Sequence, residues 1–304
     1  MIGTALGKLL SEKGYEVIVL TRNAGKGGRA PEEGISYAGW DITRQTIDAA
    51  AVQKADYIVH LAGAGVADKR WSAKRKKEIA DSRSCGCGLI IKALKETPNK
   101  VKAVISASGV GWYGPDPVVP NPKPFVENDK AHTDFLGETC RLWEAAIKPV
   151  TALGKRLVIL RTGITLSNTG GALTEFKKPL HMGVAAILGS GSQIVSWVHI
   201  DDLCRMYLKA IEDHAMEGVY NAVSPKPVSN KALTLALAKA MRGKFYLPLH
   251  VPSFLLKLVL GEMSIEVLKS ATVSANKIRT AGFDFIYPSI EAAVNALNNH
   301  PPAP

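Results

Sequence analysis

The chain has 304 residues, 46% hydrophobic and 21% charged, with 38 Lys and Arg against 27 Asp and Glu for a net charge of +11. That balance excludes intrinsic disorder and leaves room for one large α/β core or a nucleotide-binding domain with a smaller companion. Four cysteines without Cys-x-x-Cys spacing exclude a zinc ribbon or disulfide framework, and imply a reducing cytoplasm.

In chain order, Ile2, Ala5, Leu6, Leu9 and Leu10 repeat at helical spacing, with Gly14 placed to end the helix in a left-handed conformation. A strand follows at Val17 to Leu20, ending at Thr21-Arg22. Gly25-Lys26-Gly27-Gly28-Arg29-Ala30 fits a dinucleotide glycine pattern, yet Pro31, Glu32, Glu33 and Gly34 follow it, so no helix N-terminus is there to hold a phosphate. We read it as a loop.

Val17 to Leu20, Tyr57 to Leu61, Val101 to Ser106 and Leu157 to Leu160 are short apolar runs of the kind buried on both faces of a parallel sheet. The basic run Lys74 to Lys77 reads as a solvated helix face rather than a nucleic-acid patch, since the other basic residues are dispersed without interleaved aromatics. After Arg161 the texture changes: glycines and prolines cluster from Gly163 to Gly191, and helical patterns dominate from Ser229 to Leu297. The apolar stretch Phe254 to Leu260 contains Lys257 and is too short to span a bilayer, and no leader pattern stands at Met1. Pro301 to Pro304 reads as a loose tail.

These segments predict an α/β, Rossmann-like doubly wound parallel sheet followed by a smaller, mainly helical substrate domain. The expected division gives the nucleotide-binding domain residues 1–165, with 190–225 returning to it. The smaller part takes 166–189 and 226–304.

Several motifs together resemble the extended short-chain dehydrogenase/reductase family. Met1-Ile2-Gly3-Thr4-Ala5-Leu6 is similar to the tail of its Gly-x-x-Gly-x-x-Gly turn, with Gly3 as the third glycine. The resemblance begins inside that turn, so the first strand and two glycines are expected to be absent from the sheet, weakening the pyrophosphate cradle. His60-Leu61-Ala62-Gly63-Ala64, Ser106 to Gly114, Leu160-Arg161-Thr162-Gly163 and Trp197-Val198-His199-Ile200-Asp201-Asp202 follow in the family's order. Arg70-Trp71, Gly189-Ser190-Gly191 with Gln193, and Ala281-Gly282-Phe283 narrow the match to its sugar-nucleotide epimerase subgroup, often named epimerase family protein and sometimes labelled a cell-division inhibitor.

The resemblance implies NADP rather than NAD, because Arg22 stands where an arginine can pair with the 2′-phosphate. It also implies cofactor contacts at Gly3, Asp41, Leu61, Ala62, Gly63, Ser106 and Arg161. Ser108 becomes the active-site hydroxyl. The family's tyrosine and the lysine four residues later have no counterpart, since none of the eight tyrosines is followed by lysine at that spacing. Aligned on Glu144, the helix from Asp134 places Leu136 and Cys140 there instead. Tyr113, His199 and Glu127 are the remaining acid/base candidates. The implied function is a hydride-transferring epimerase or oxidoreductase acting on a nucleotide sugar or another small carbonyl or hydroxyl compound. The alternative is a non-catalytic NADP-binding sensor or scaffold linked to growth or division. A small-molecule substrate, no metal, no nucleic acid, no membrane partner, and a monomer or homodimer complete the expectation.

Overall fold

The structure, a computed structural model, describes residues 1–23 and 34–299. The glycine-rich loop at 25–30 and the tail at 301–304 lie outside the described residues.

Helix α1 (Ile2–Glu12) buries Leu6 and Leu10, one turn apart, and Gly14 follows at φ +84° as its spacing predicts. Strand β1 (Val17–Thr21) pairs in parallel with β2 (Ile35–Asp41). A second parallel sheet takes β3 (Tyr57–His60), β4 (Ala103–Gly109), β5 (Arg156–Thr162) and β6 (Gly218–Ala222) in spatial order β6-β5-β4-β3. Helices α2 (Ala73–Glu96), α3 (Phe135–Ile147) and α4 (Ile200–Glu212) pack along it. Val104, Ile105, Val158 and Leu160 are 0% exposed, as strands covered on both faces require.

The two sheets do not join. The free edge of β1 and the free edge of β3 take no strand among the described residues. They nonetheless belong to one assembly: Leu61 lies beside Gly3, and Tyr15 and Tyr57 interact electrostatically near the strand starts.

Two apolar cores result. The first fills the main sheet and its helices, and the second gathers Leu166, Leu173, Leu180, Trp197, Leu233 and Val294. Val273, Ala275, Ile278 and Phe283, expected with the smaller part, instead bury in the first core. The smaller part is mainly helical, as expected, and adds one parallel strand pair, Leu247–Val251 with Val184–Leu188.

The basic run corrects another expectation. Arg75 is 7% exposed, donating to the Gly65 carbonyl and pairing with Asp68 and Glu78, and Lys76 reaches Glu262 at 2.8 Å. Helical periodicity turns only part of four consecutive residues outward. Among the described residues, no helix is long and apolar enough to cross a membrane, and no cluster of His, Cys, Asp or Glu could hold a metal ion.

Candidate functional site

The residues named by sequence, His199 apart, gather at the C-terminal ends of β1, β3 and β4 and at the start of α1, in three groups.

At the first end, Arg22 is exposed just past β1. Asp41 ends β2, but its Oδ1 accepts from the backbone N–H of Thr43 and Arg44 at 2.8 and 3.1 Å. That carboxylate closes its own turn, a structural use the sequence reading did not assign.

In the middle lies the start of α1. Met1 gives no side-chain cap, no acidic residue occupies the first turn, and the first backbone bond runs from Ala5 to Met1. The N–H groups of Ile2, Gly3 and Thr4 therefore have no partner within the helix, which makes an anion cradle. Among the described residues a Cβ on Gly3 would meet only Leu61 Cδ1, at 3.8 Å, so these residues leave its backbone open to a ligand. Leu61 and Ala62 are half-buried and Gly63 is exposed, forming the adjoining wall. This part fits a dinucleotide.

The third group, at the end of β4, is buried and mostly closed. Ser108 donates to Glu144 Oε1 at 2.7 Å. Arg161, assigned to cofactor binding by resemblance, is 2% exposed and holds both oxygens of Glu144. It also donates to the Tyr113 hydroxyl and the Glu127 carbonyl and stacks 3.6 Å from the Trp112 ring centroid. Its donors are thus engaged by protein, because the low-dielectric interior demands a partner for each buried charge.

Tyr113 is 0% exposed, donates to Asn221 Oδ1 at 2.7 Å, and has its pKa pushed up by burial to about 12. A phenol sealed in this way is a packed, bonded core residue and not a proton donor to a bound ligand. Glu127 accepts from the Asn221 N–H. Ser106 is fully buried and donates to the Ala107 carbonyl.

His199 lies elsewhere. Its Nδ1 accepts the Asp201 N–H at 3.1 Å, capping α4, and its ring stacks on Tyr287 at 3.9 Å. Burial lowers its pKa, so the neutral ring persists and acts as a helix cap. Asp202, beside it in sequence, accepts from the N–H groups of Ile286 and Tyr287 and fastens the C-terminal segment.

Helix α3 carries Leu136 and Cys140, the residues that the resemblance aligns with the proton-relay positions. Leu136 packs on Gly111, and Cys140 lies 3.6 Å from the Gly109 carbonyl. Burial and the Glu144 carboxylate push the Cys140 thiol up to about 11.

Two residues escaped the sequence reading. Glu144 served there only as an alignment marker, yet it is the hub of the buried network. Arg83 on α2 donates to the Ala64 carbonyl at 3.0 Å beside Gly63. Its signal was present: a charged residue shares the inward helical face with Ile79, Gly86 and Ile90.

Comparison with known proteins shows the family and the fold. Residues 1–222 match the NAD dependent epimerase/dehydratase family, and residues 251–297 match a domain of unknown function, DUF1731. An epimerase family protein of Staphylococcus saprophyticus is 33% identical over 300 residues, covering 98% of this chain and 96% of that protein. The crystal structure of a human epimerase family protein, SDR39U1 isoform 2, with NADPH superposes with a TM-score of 0.84 at 28% identity, over 98% of this chain and 96% of the other. A nucleoside-diphosphate sugar epimerase from Corynebacterium glutamicum matches at TM-score 0.73 and 31% identity, over 97% of this chain and 55% of that one.

Proposed function

The chain belongs to the NAD dependent epimerase/dehydratase family, and from that premise we propose that it binds NADP across the C-terminal ends of β1, β3 and β4 and exchanges a hydride with a nucleotide sugar or another small carbonyl or hydroxyl compound. The observation that carries the reading is the start of α1, where the N–H groups of Ile2, Gly3 and Thr4 have no partner within the helix and Gly3 stands beside Leu61. The NADPH of the human relative supports the choice of cofactor.

In this reading Arg22 pairs with the 2′-phosphate and the α1 N-terminus holds the pyrophosphate. The nicotinamide, when bound, supplies a reversible hydride carrier. Ser108 faces that end, but it reaches a substrate carbonyl only by leaving Glu144. Cys140, with its raised pKa, stays protonated at neutral pH, and Leu136 offers no proton. Solvent or the substrate itself then carries the proton. The four thiols are all free, consistent with a reducing cytoplasm, and the proposal includes a monomer or homodimer without nucleic-acid or membrane partners.

The same observations favour a second reading, a sensor or scaffold that holds NADP without turnover. Leu136 and Cys140 at the relay positions, and Ser108 inside a closed network, are what a protein that has lost catalysis would keep. Incubating the protein with NADP and a panel of nucleotide sugars, and following nicotinamide absorbance and sugar stereochemistry, separates the two. Interconversion of any sugar supports the enzyme; tight binding with no turnover across the panel assigns the sensor.

A further inference from the structure

The small sheet of the C-terminal part is covered on one side. Its strands Val184–Leu188 and Leu247–Val251 pair Leu247 with Val184 and Leu249 with Ala186, and residues paired in a parallel ladder point to the same face. One face carries Ala185 and Ile187, 0% and 1% exposed, and packs against the helices Ala172–His181 and Asn230–Arg242. The other carries Val184, Ala186, Leu188, Leu247, Leu249 and Val251, all apolar and none buried; Leu247 and Leu249 are 58% and 46% exposed. A sheet face of this composition calls for a second layer. The helix Ser253–Leu260 extends the surface, since it buries only Leu256 and leaves Phe254 and Leu258 72% and 70% exposed. With Phe245 and Met182 these side chains offer on the order of 800 Å² of apolar surface, about one partner's share of a standard interface and more than a typical monomer leaves open.

The backbone and the charges narrow what fits. Leu247 donates its N–H to the Gly183 carbonyl and the Val251 carbonyl accepts from Gly189, so the odd-numbered residues of this strand bond inward while Pro248 and His250 turn toward the free edge. Pro248 has no N–H to give, which disfavours an added strand and leaves packing onto the face. The cations around it, Arg242, Lys244 and Lys257, are exposed and make no ion pair among the described residues, and positions 242–261 contain no Asp or Glu. The carboxylates that follow are each held by a lysine, Glu262 by Lys76 and Glu266 by Lys269. A second copy of a chain carrying +11 would set these cations against themselves, whereas an acidic partner meets them.

We propose that this open face seats an acidic amphipathic helix of a partner protein. The apolar stripe of that helix packs on Leu247 and Leu249 beside Phe254 and Leu258, and its Asp and Glu side chains meet Arg242, Lys244 and Lys257. The docked helix supplies the second layer that the sheet face calls for. The proposal is independent of the cofactor reading, because this face carries none of the residues assigned to NADP.

The probe is a fluorescently labelled synthetic helix with Leu at i, i+3, i+4 and i+7 and Glu at its other positions, titrated with the full chain; a twin with Lys in place of Glu is the charge control. The Glu peptide is expected to bind roughly tenfold or more tighter than the Lys twin at low salt. Leu249→Glu and Leu258→Glu each weaken it roughly tenfold or more, while Ile286→Glu, at an exposed apolar position outside this face, stays within about twofold. Lys244→Glu combined with Lys257→Glu turns the preference toward the Lys twin. Since all these side chains are exposed, the variants are expected to melt with the unaltered protein. Equal binding of the two peptides, or binding that survives Leu249→Glu and Leu258→Glu, overturns the proposal. Sedimentation of the chain alone as a dimer that Leu249→Glu dissociates would assign the face to a second copy, and co-sedimentation with anionic phospholipid vesicles that the same variant abolishes would assign it to a lipid surface; either result overturns the partner helix as well.

Discussion

Arg161 and Glu144 meet edge to edge in the interior, Nε to Oε1 at 2.8 Å and Nη2 to Oε2 at 2.9 Å, with side-chain exposures of 2% and 9%. Because Ser108 donates to the same Oε1, the pair holds the hydroxyl at the end of β4 in place. The site's polar end is therefore structural before it is chemical.

Breaking that pair from one side strands a buried charge. Glu144→Ala is expected to cost about 3–5 kcal/mol of stability, because Arg161 then sits unpaired in the core. Replacing both, as Arg161→Met with Glu144→Leu, recovers much of the loss. Chemical denaturation of the two variants checks this; additive losses in the double variant would contradict it.

The His-x-Asp-Asp segment makes a sharp contrast between neighbours. Asp202 is 0% exposed and accepts two backbone N–H groups at 2.9 Å each, whereas the Asp201 side chain is 57% exposed. Asp202→Ala is expected to lose about 2–4 kcal/mol by orphaning the N–H groups of Ile286 and Tyr287, and Asp201→Ala to stay within about 0.5 kcal/mol. Thermal melts of the two variants give the comparison, and similar losses would count against the assignment.

Acid destabilises this fold through its buried histidines. His60 is 2% exposed and burial pushes its pKa from 6.5 down to about 4, and burial lowers His199 too. Between those values the unfolded chain takes up a proton that the folded chain refuses, so the neutral ring's contribution is full above pH 6.5 and falls away as the pH drops toward 4. For His60 the loss is of order 3 kcal/mol. His60→Asn should flatten the pH dependence of the unfolding free energy across that window, and an unchanged slope would refute the cause.

Thiol accessibility provides a simple check on the core. Cys85 is exposed, while burial pushes Cys87, Cys140 and Cys204 up to about 12, 11 and 12. A thiol-specific chromogenic reagent at pH 8 is expected to modify one cysteine in the native protein and four after denaturation. Rapid modification of Cys140 would mean that the end of β4 is open to solvent.

The fold was legible because its signals are local. Continuous apolar runs at 17–20, 57–61, 101–106 and 157–160 became β1, β3, β4 and β5, and Gly14 ended α1 in the left-handed conformation assigned to it. Gly3 does stand in the first turn of α1, but a lone glycine before a helix is no signal by itself, and the motifs that follow it in the family's order carried that reading. The polar end at β4 was not legible. Arg161 and Tyr113 stand in recognisable motifs, but their partners Glu144 and Asn221 come from distant helix and strand positions, and only packing shows that their polar atoms are already spent. Asp41 misled because a carboxylate after a strand can meet a ligand or close its own turn with the same spacing. The strand at 247–251 was hidden by Pro248 and by exposure on both faces, which removes the apolar alternation that identifies strands.

The proposed NADP site runs from Arg22 past the start of α1. Parallel titrations of the unaltered protein and Arg22→Ala with NADPH and NADH test it directly. NADPH should bind the unaltered protein roughly tenfold or more tighter than NADH, and Arg22→Ala should erase that preference while leaving NADH affinity in place. Failure to bind either nucleotide, or an NADPH preference that survives Arg22→Ala, would contradict the account.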